Sequence, residues 1–261
     1  ALLNDLSCFG KCSLSVAMPI LSACWVETVP LPTVILSTHT ASGFGDYVMR
    51  DMTDEMKAFA AHWKKLDVKF DGICTGFFAS AEQIRFAESF LRDFGGEDTL
   101  IVVDPVLGDN GALYGCFSEE YVQAMRTLCK AARLITPNHT EAALLAGCSM
   151  DTDVNELLEK LPVENVIITG VRRGEEIGYC ARLDGEYTEI FRPCIPQTLH
   201  STGDVFASAL CGALMNGKTM PCALEDAAKF CDDCVQKTVK RGEAHWYSLA
   251  FEDVLKEERE R

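Results

Sequence analysis

An apolar run, Leu100-Ile101-Val102-Val103, ends in Asp104, and a second acid follows at Asp109. A carboxylate closing a buried strand is costly unless it is paired or near a cation. Two such acids could hold Mg²⁺, a hard ion that takes carboxylate and water oxygens. The competing reading is a turn or capping acid beside Pro105. In Ile135-Thr136-Pro137-Asn138-His139-Thr140-Glu141, Pro137 breaks a strand, and Thr136 or Asn138 can cap a helix that carries Glu141 in its first turn. His200-Ser201-Thr202-Gly203-Asp204 opens an Ala-rich apolar helix. Main-chain N–H groups at such a start converge on one spot and make an anion site. An acid there, Asp204, makes sense as a base that takes a proton from a hydroxyl while the N–H groups stabilise phosphoryl charge in transit. The alternative is a simple Thr/Asp cap. Ser37-Thr38-His39-Thr40 offers donors and acceptors to a heteroatom-bearing ring, although a lone His in such a run is more often structural.

Gly212-Ala213-Leu214-Met215-Asn216-Gly217-Lys218-Thr219 fits the P-loop pattern letter for letter. A P-loop follows a strand and opens a helix, whereas this stretch reads as the end of a helix that Gly217 terminates. Cys231-Asp232-Asp233-Cys234 is the only Cys-x-x-Cys, with no second pair for zinc and two acids that disfavour a thiolate.

The elements that must position these residues alternate. Strands are predicted at 2–4, 33–37, 71–75, 100–104, 133–136 and 166–169. Helices are predicted at 13–24, 54–65, 81–94, 118–131, 141–146 and 155–161. Short β-branched runs of this kind suit strands buried on both faces of a parallel sheet. After Gly170 the rhythm changes to 177–183, Asp184-Gly185 and 187–191, a hairpin signal. The last third reads as helices over 203–215, 223–240 and 249–260. This order predicts an α/β fold: a three-layer αβα sandwich with a mostly parallel central sheet, helices on both faces and a late β-hairpin, in one domain spanning 1–261. Ligands then bind at the carboxyl ends of the strands.

The chain has 261 residues, with 24 Lys+Arg against 39 Asp+Glu and a formal net charge of −15. That acidity repels nucleic-acid backbones and anionic lipid, so neither is an expected partner. Thirteen Cys, an odd number in a chain of this length, read as buried thiols in a reduced compartment, which points to the cytoplasm. No basic-then-apolar leader is visible at the start of the sequence. The weakly charged stretch 12–45 is broken by Pro19, Pro30 and Pro32 and does not read as a membrane span.

Together these segments resemble the ribokinase-like superfamily, specifically its pyridoxal (vitamin B6) kinase branch, from Asn4 to about Lys240. Asp104-Pro105-Val106-Leu107-Gly108-Asp109 and Thr136 to Glu141 are similar to that branch's metal and nucleotide segments. Thr202-Gly203-Asp204 is similar to the core of its Gly-Thr-Gly-Asp anion hole, Thr38-His39-Thr40 to the segment beside the pyridine ring, and Thr75-Gly76-Phe77 to one that often carries Tyr. Ser201 stands where the first Gly is usual, and Phe77 keeps a stacking face without the hydroxyl. Asn4-Asp5-Leu6-Ser7 replaces a Gln-Ser-His pattern, so the ring contact falls to Asp5 or Ser7.

The resemblance implies an ATP-dependent kinase for the 5′-hydroxymethyl of pyridoxal, pyridoxine or pyridoxamine. Asp204 would be the base and the backbone of Ser201, Thr202, Gly203 and Asp204 the anion hole. Asp104 and Glu141 would place Mg²⁺; Asp109, Asn138, Thr169 and Thr202 would contact the nucleotide; Asp5, Ser7, His39, Thr40, Phe77 and Asp204 would contact the vitamer. It also implies a homodimer and leaves a requirement for a monovalent cation such as K⁺ open. Alternatives are a kinase for hydroxymethylpyrimidine or another small alcohol, a non-catalytic vitamer- or nucleotide-binding protein, and a P-loop NTPase using Lys218.

Overall fold

The computed structural model describes residues 1–40, 42–197, 199–242 and 247–259. Two compact units alternate along the chain: one is built from Leu2–Met52 and Pro196–Arg261, the other from Thr53–Ile195 with Ala1.

The first unit begins with β1 (Leu2–Ser7), α1 (Leu14–Ala23), β2 (Pro30–Leu36) and β3 (Met49–Asp51). β1 pairs with β2 in parallel and β2 with β3 antiparallel. β1 runs beyond its predicted end, with a register irregularity between Asn4 and Leu6. Leu3 of β1, Leu14 and Ile20 of α1, and Leu31 of β2 are fully buried.

Thr53–Ile195 holds the longer series: α2 (Thr53–Lys65), β4 (Gly72–Thr75), α3 (Ala81–Phe94), β5 (Leu100–Val103), β6 (Gly108–Asp109), β7 (Ala112–Leu113), α4 (Glu119–Cys129), β8 (Leu134–Ile135), α5 (His139–Ala146), α6 (Val154–Lys160), β9 (Asn165–Arg173), β10 (Glu176–Leu183) and β11 (Glu186–Pro193). The strands lie in the order β4-β5-β8-β9-β10-β11. The first four are mutually parallel, and β10 runs antiparallel to both β9 and β11. The Asp184-Gly185 turn joins β10 to β11 with φ of 49° and 85°, the paired positive values that Asp-Gly accommodates. Ser80 and Ser118 cap α3 and α4 through their hydroxyls. The β6–β7 ribbon turns at Asn110-Gly111, with φ of 51° and 80°. Asn-Gly is a strong hairpin signal, yet here it directly follows the segment assigned to metal, and no hairpin is predicted from it.

The chain then returns to the first unit through α7 (Thr202–Met215), α8 (Met220–Arg241) and α9 (Phe251–Arg259), with α7 packed on α1 and α8. Phe206 and Phe251 are among its largest fully buried side chains. Among the described residues no helix is long and apolar enough to cross a membrane. Both units are therefore α/β; parallel pairing dominates in Thr53–Ile195, which also carries the late antiparallel hairpin.

Candidate active site

The acids of the Thr53–Ile195 unit are organised by one helix start. Asn138 is the N-cap of α5 and forms a full capping box with Glu141. Its Oδ1 accepts from the Glu141 N–H at 2.9 Å, and Glu141 Oε2 accepts from the Asn138 N–H at 2.8 Å. Glu141 Oε1 accepts from the Leu107 N–H at 3.1 Å, which ties the helix to the turn after β5. Asn138 Nδ2 donates to the Gly108 carbonyl at 2.8 Å, and the Gly111 N–H donates to Thr140 Oγ1 at 2.9 Å. Thr169 joins the group because its N–H donates to the Pro137 carbonyl at 2.8 Å. Asp104, Glu141, Asn138 and Thr169 thus belong to one cluster.

Burial raises the carboxyls of both Asp104 and Glu141, and at Glu141 the neighbouring Asp104 charge raises it further. Thr136 acts the other way on Asp104, and the backbone donors do so on Glu141. Asp104 keeps part of its surface open, whereas Glu141 is 5% exposed. Among the described residues no group of three His, Cys, Asp or Glu side chains is placed to hold a metal. Mg²⁺ does not need one, being commonly held by one or two carboxylates with waters and phosphate oxygens. Two hard oxygen donors whose mutual repulsion a divalent cation would relieve fit that ion. Asp109 sits apart from the pair: it is exposed in the hairpin, where its carboxylate accepts from the Asn110 N–H at 2.7 Å and from Asn110 Nδ2 at 3.1 Å. Phe77 is half-buried, its ring 5.9 Å from that of Phe117. Beside it, Thr75 Oγ1 is buried with no hydrogen-bond partner among the described residues.

In the unit of Leu2–Met52 and Pro196–Arg261, the feature with most chemistry is the start of α7. Ser201, its N-cap, has φ 67° and ψ 17°, the left-handed region in which a non-glycine residue is strained by about 1–2 kcal/mol. Glycine is favoured there for that reason. The Ser201 side chain makes no cap bond; it donates to the Lys11 carbonyl at 2.6 Å. Helix geometry gives the first-turn N–H groups of Thr202 and Gly203 no acceptor within the helix, and Gly203 is exposed. Asp204 follows them, half-buried in the first turn.

His39 lies 5.9 Å from the Phe44 ring and 5.5 Å from the His200 ring, next to that helix start. Burial, then the His200 neighbour, lowers its pKa to about 4, so it is neutral near pH 7. Thr40 is exposed, while Thr38 Oγ1 is buried with no partner among the described residues. Such orphaned hydroxyls are uncommon and point to a ligand or water. Asp5 and Ser7 are both buried: Ser7 Oγ donates to Asp5 Oδ2 at 3.2 Å, and Cys12 Sγ donates to Ser7 Oγ at 3.1 Å. Burial raises the Asp5 carboxyl, against the hydrogen bonds of Ser13, Ser7 and Cys12. Cys12 was not legible as part of this group, since nothing in Gly10-Lys11-Cys12-Ser13 marks its thiol as a partner of Ser7 and Asp5.

The remaining motifs fall outside these clusters. Gly212 to Met215 form the end of α7, Gly217 has φ 79° in the following turn, and Lys218 pairs with Asp226 on the surface. No strand precedes this stretch, so it does not have P-loop context. Cys231 and Cys234 are buried thiols in α8.

The sequence profile of the phosphomethylpyrimidine kinase family matches residues 48–248. A pyridoxal kinase structure from Lactobacillus plantarum is 33% identical with a TM-score of 0.91, covering 98% of this chain and 94% of its own. A Bacteroides thetaiotaomicron structure described as a phosphomethylpyrimidine kinase and solved with pyridoxal is 37% identical with a TM-score of 0.90, covering 98% and 93%. The hydroxymethylpyrimidine/phosphomethylpyrimidine kinase of Bacillus subtilis is 28% identical over 187 residues, 69% of this chain and 68% of its own. The two solved structures share the α/β fold that the order of elements predicts and that the resemblance implies to be ribokinase-like.

Proposed function

The chain belongs to the phosphomethylpyrimidine kinase family, whose members are phosphotransferases with an alcohol acceptor, and from that premise we propose that it phosphorylates the 5′-hydroxymethyl of a B6 vitamer. The support is the start of α7: a strained Ser201, open first-turn N–H groups and Asp204 in one helical turn. Similarity to a pyridoxal kinase and to a protein solved with pyridoxal, over nearly the whole chain, favours a vitamer over hydroxymethylpyrimidine.

In this reading Asp204 takes the proton of the substrate hydroxyl as that oxygen bonds to the γ-phosphorus and the bond to the ADP oxygen breaks. The N–H groups of the Ser201–Asp204 turn hold the charge that builds on the phosphoryl oxygens, already oriented and so requiring little rearrangement. Mg²⁺ at Asp104 and Glu141 would supply neutralisation of phosphate charge when bound. Asn138 and Thr169 face the nucleotide phosphates, with Asp109 nearby on the β6–β7 turn. His39 and Thr40 are assigned to the vitamer ring, and neutral His39 can accept or donate one hydrogen bond without opposing a charged ring; Phe77 offers a stacking face in the Thr53–Ile195 unit. Asp5 and Ser7 form the floor of that contact. Residues 1–261 act as a single kinase domain, assembled as a homodimer in the cytoplasm.

The test is ADP release with pyridoxal, pyridoxine, pyridoxamine and hydroxymethylpyrimidine side by side, for the parent chain and Asp204→Asn. The expected result is the highest kcat/KM with a vitamer, and a loss of about 10²–10⁴ in kcat in the variant with substrate KM nearly unchanged. Preference for hydroxymethylpyrimidine would reassign the substrate, absence of turnover with all four would favour a binding protein, and near-parental kcat in Asp204→Asn would refute the base.

A further inference from the structure

The loop between β1 and α1 makes contacts that the proposed reaction does not use. Its Lys11 carbonyl accepts the Ser201 hydroxyl at 2.6 Å, a side-chain hydrogen bond made by a residue held at φ 67°. The next residue, Cys12, is 6% exposed and points the other way, donating to Ser7 Oγ at 3.1 Å and lying 3.9 Å from Asp5 Oδ2. Ser7 Oγ in turn donates to Asp5 Oδ2. Lys11 is further fixed by its ammonium, which pairs with Glu252 and lies 5.0 Å over the Phe251 ring. Burial raises the Cys12 thiol, and the charges of Asp5 and then Asp204 raise it further.

A hydroxyl bond to a main-chain carbonyl can hold a strained N-cap only if the carbonyl itself is fixed. We propose that Cys12 is a positioning residue for the phosphoryl-binding turn: its thiol, anchored on Ser7 and Asp5, fixes the Lys11 carbonyl that keeps Ser201 left-handed and the N–H groups of Thr202 and Gly203 aimed at one point. Asp5 and Ser7 then serve the turn from beneath as well as the vitamer. The inference rests on the reading of that turn as the phosphoryl site.

Three variants test it: Cys12→Ala, Cys12→Ser and Ser201→Gly. Cys12→Ala should lower kcat about tenfold, the scale of one net hydrogen bond, with KM for ATP and vitamer within about twofold. Cys12→Ser, which keeps a donor, should restore kcat to within about twofold. Glycine adopts the left-handed conformation unaided. In the Ser201→Gly background, Cys12→Ala should therefore cost less than about twofold, a non-additivity that reports direct coupling. Amide hydrogen exchange across residues 201–205 reads the same effect without turnover, and should be about tenfold faster in Cys12→Ala and normal in Cys12→Ser. If Cys12→Ala does not fold, Asp5→Asn should give the same exchange signature from the other end of the network. Unchanged kcat and exchange in Cys12→Ala, equal losses with Ser and Gly at 201, or a Cys12→Ser as impaired as Cys12→Ala would each overturn the proposal. A parent chain that phosphorylates none of the substrates defeats the kinase reading instead, and the exchange comparison still decides whether Cys12 positions the turn.

Discussion

Replacing Asp104 by Asn should make the metal-free protein more stable at pH 8 and leave it nearly unchanged at pH 4. In the folded chain Asp104 and Glu141 are both raised, burial being the largest cause and the charge of Asp104 the next at Glu141. A carboxyl raised on folding stabilises fully below its unfolded pKa, near 4, and loses that contribution as pH climbs through the folded value. The parent chain in chelator should therefore lose stability between about pH 4 and neutrality. The Asp104→Asn change removes one charge while keeping the shape, so Glu141 can ionise alone, still held by the Asn138 and Leu107 N–H groups. Each unit by which the neighbour no longer raises Glu141 is worth about 1.4 kcal/mol. In a chain of this size that moves Tm by about 2–4 °C per kcal/mol. Thermal unfolding in chelator at pH 4 and 8, followed by Mg²⁺ titration, reads both effects: the parent should gain Tm with Mg²⁺ at pH 8 and the variant should gain much less. A variant less stable than the parent at pH 8, or equal gains at both pH values, refutes the like-charge account.

Gly108→Ala would place its Cβ 2.1 Å from the Ala112 carbonyl oxygen, so the β6–β7 hairpin must shift and carry the Gly108 carbonyl away from Asn138; MgATP affinity by calorimetry should fall about tenfold or more, with vitamer affinity retained. His39, lowered to about 4, contributes stability above about pH 6.5 that is lost as pH falls towards 4; its ring should not titrate above about pH 5 by NMR, and His39→Gln should flatten the fall in Tm across that window. Lys218→Ala removes only the surface pair with Asp226, so KM for ATP and kcat should match the parent in steady-state kinetics.

The α/β rhythm was legible because burial on both faces leaves a mark that alternating helices sharpen: Ala81–Phe94 coincides with its prediction residue for residue, and the Asp184-Gly185 turn falls where the dipeptide stands. The Asn138 cap could be read for the same reason, a side chain bonded three residues away. What escaped was set by partners distant in sequence. β3, three exposed residues, forms only against β2, and β6–β7 is held by Asn138 and Thr140 from α5. The left-handed Ser201 and its bond to Lys11, 190 positions earlier, leave no local trace. Asp5 and Ser7 were singled out for the ring, and their mutual bond and the thiol of Cys12 became visible only in three dimensions.

The interleaving of the two units has a temporal side. A ribosome finishes residues 2–52 first, yet their companions in the same unit, from Pro196 onward, emerge only after residues 53–195. At ~5–20 residues per second that delay is roughly 7–30 s. During it Leu14, Ile20 and Leu31, shielded in the finished protein, lack the α7 surface that α1 packs against. The nascent N-terminal segment is thus a natural client for a chaperone, while residues 53–195 can close their own core without waiting.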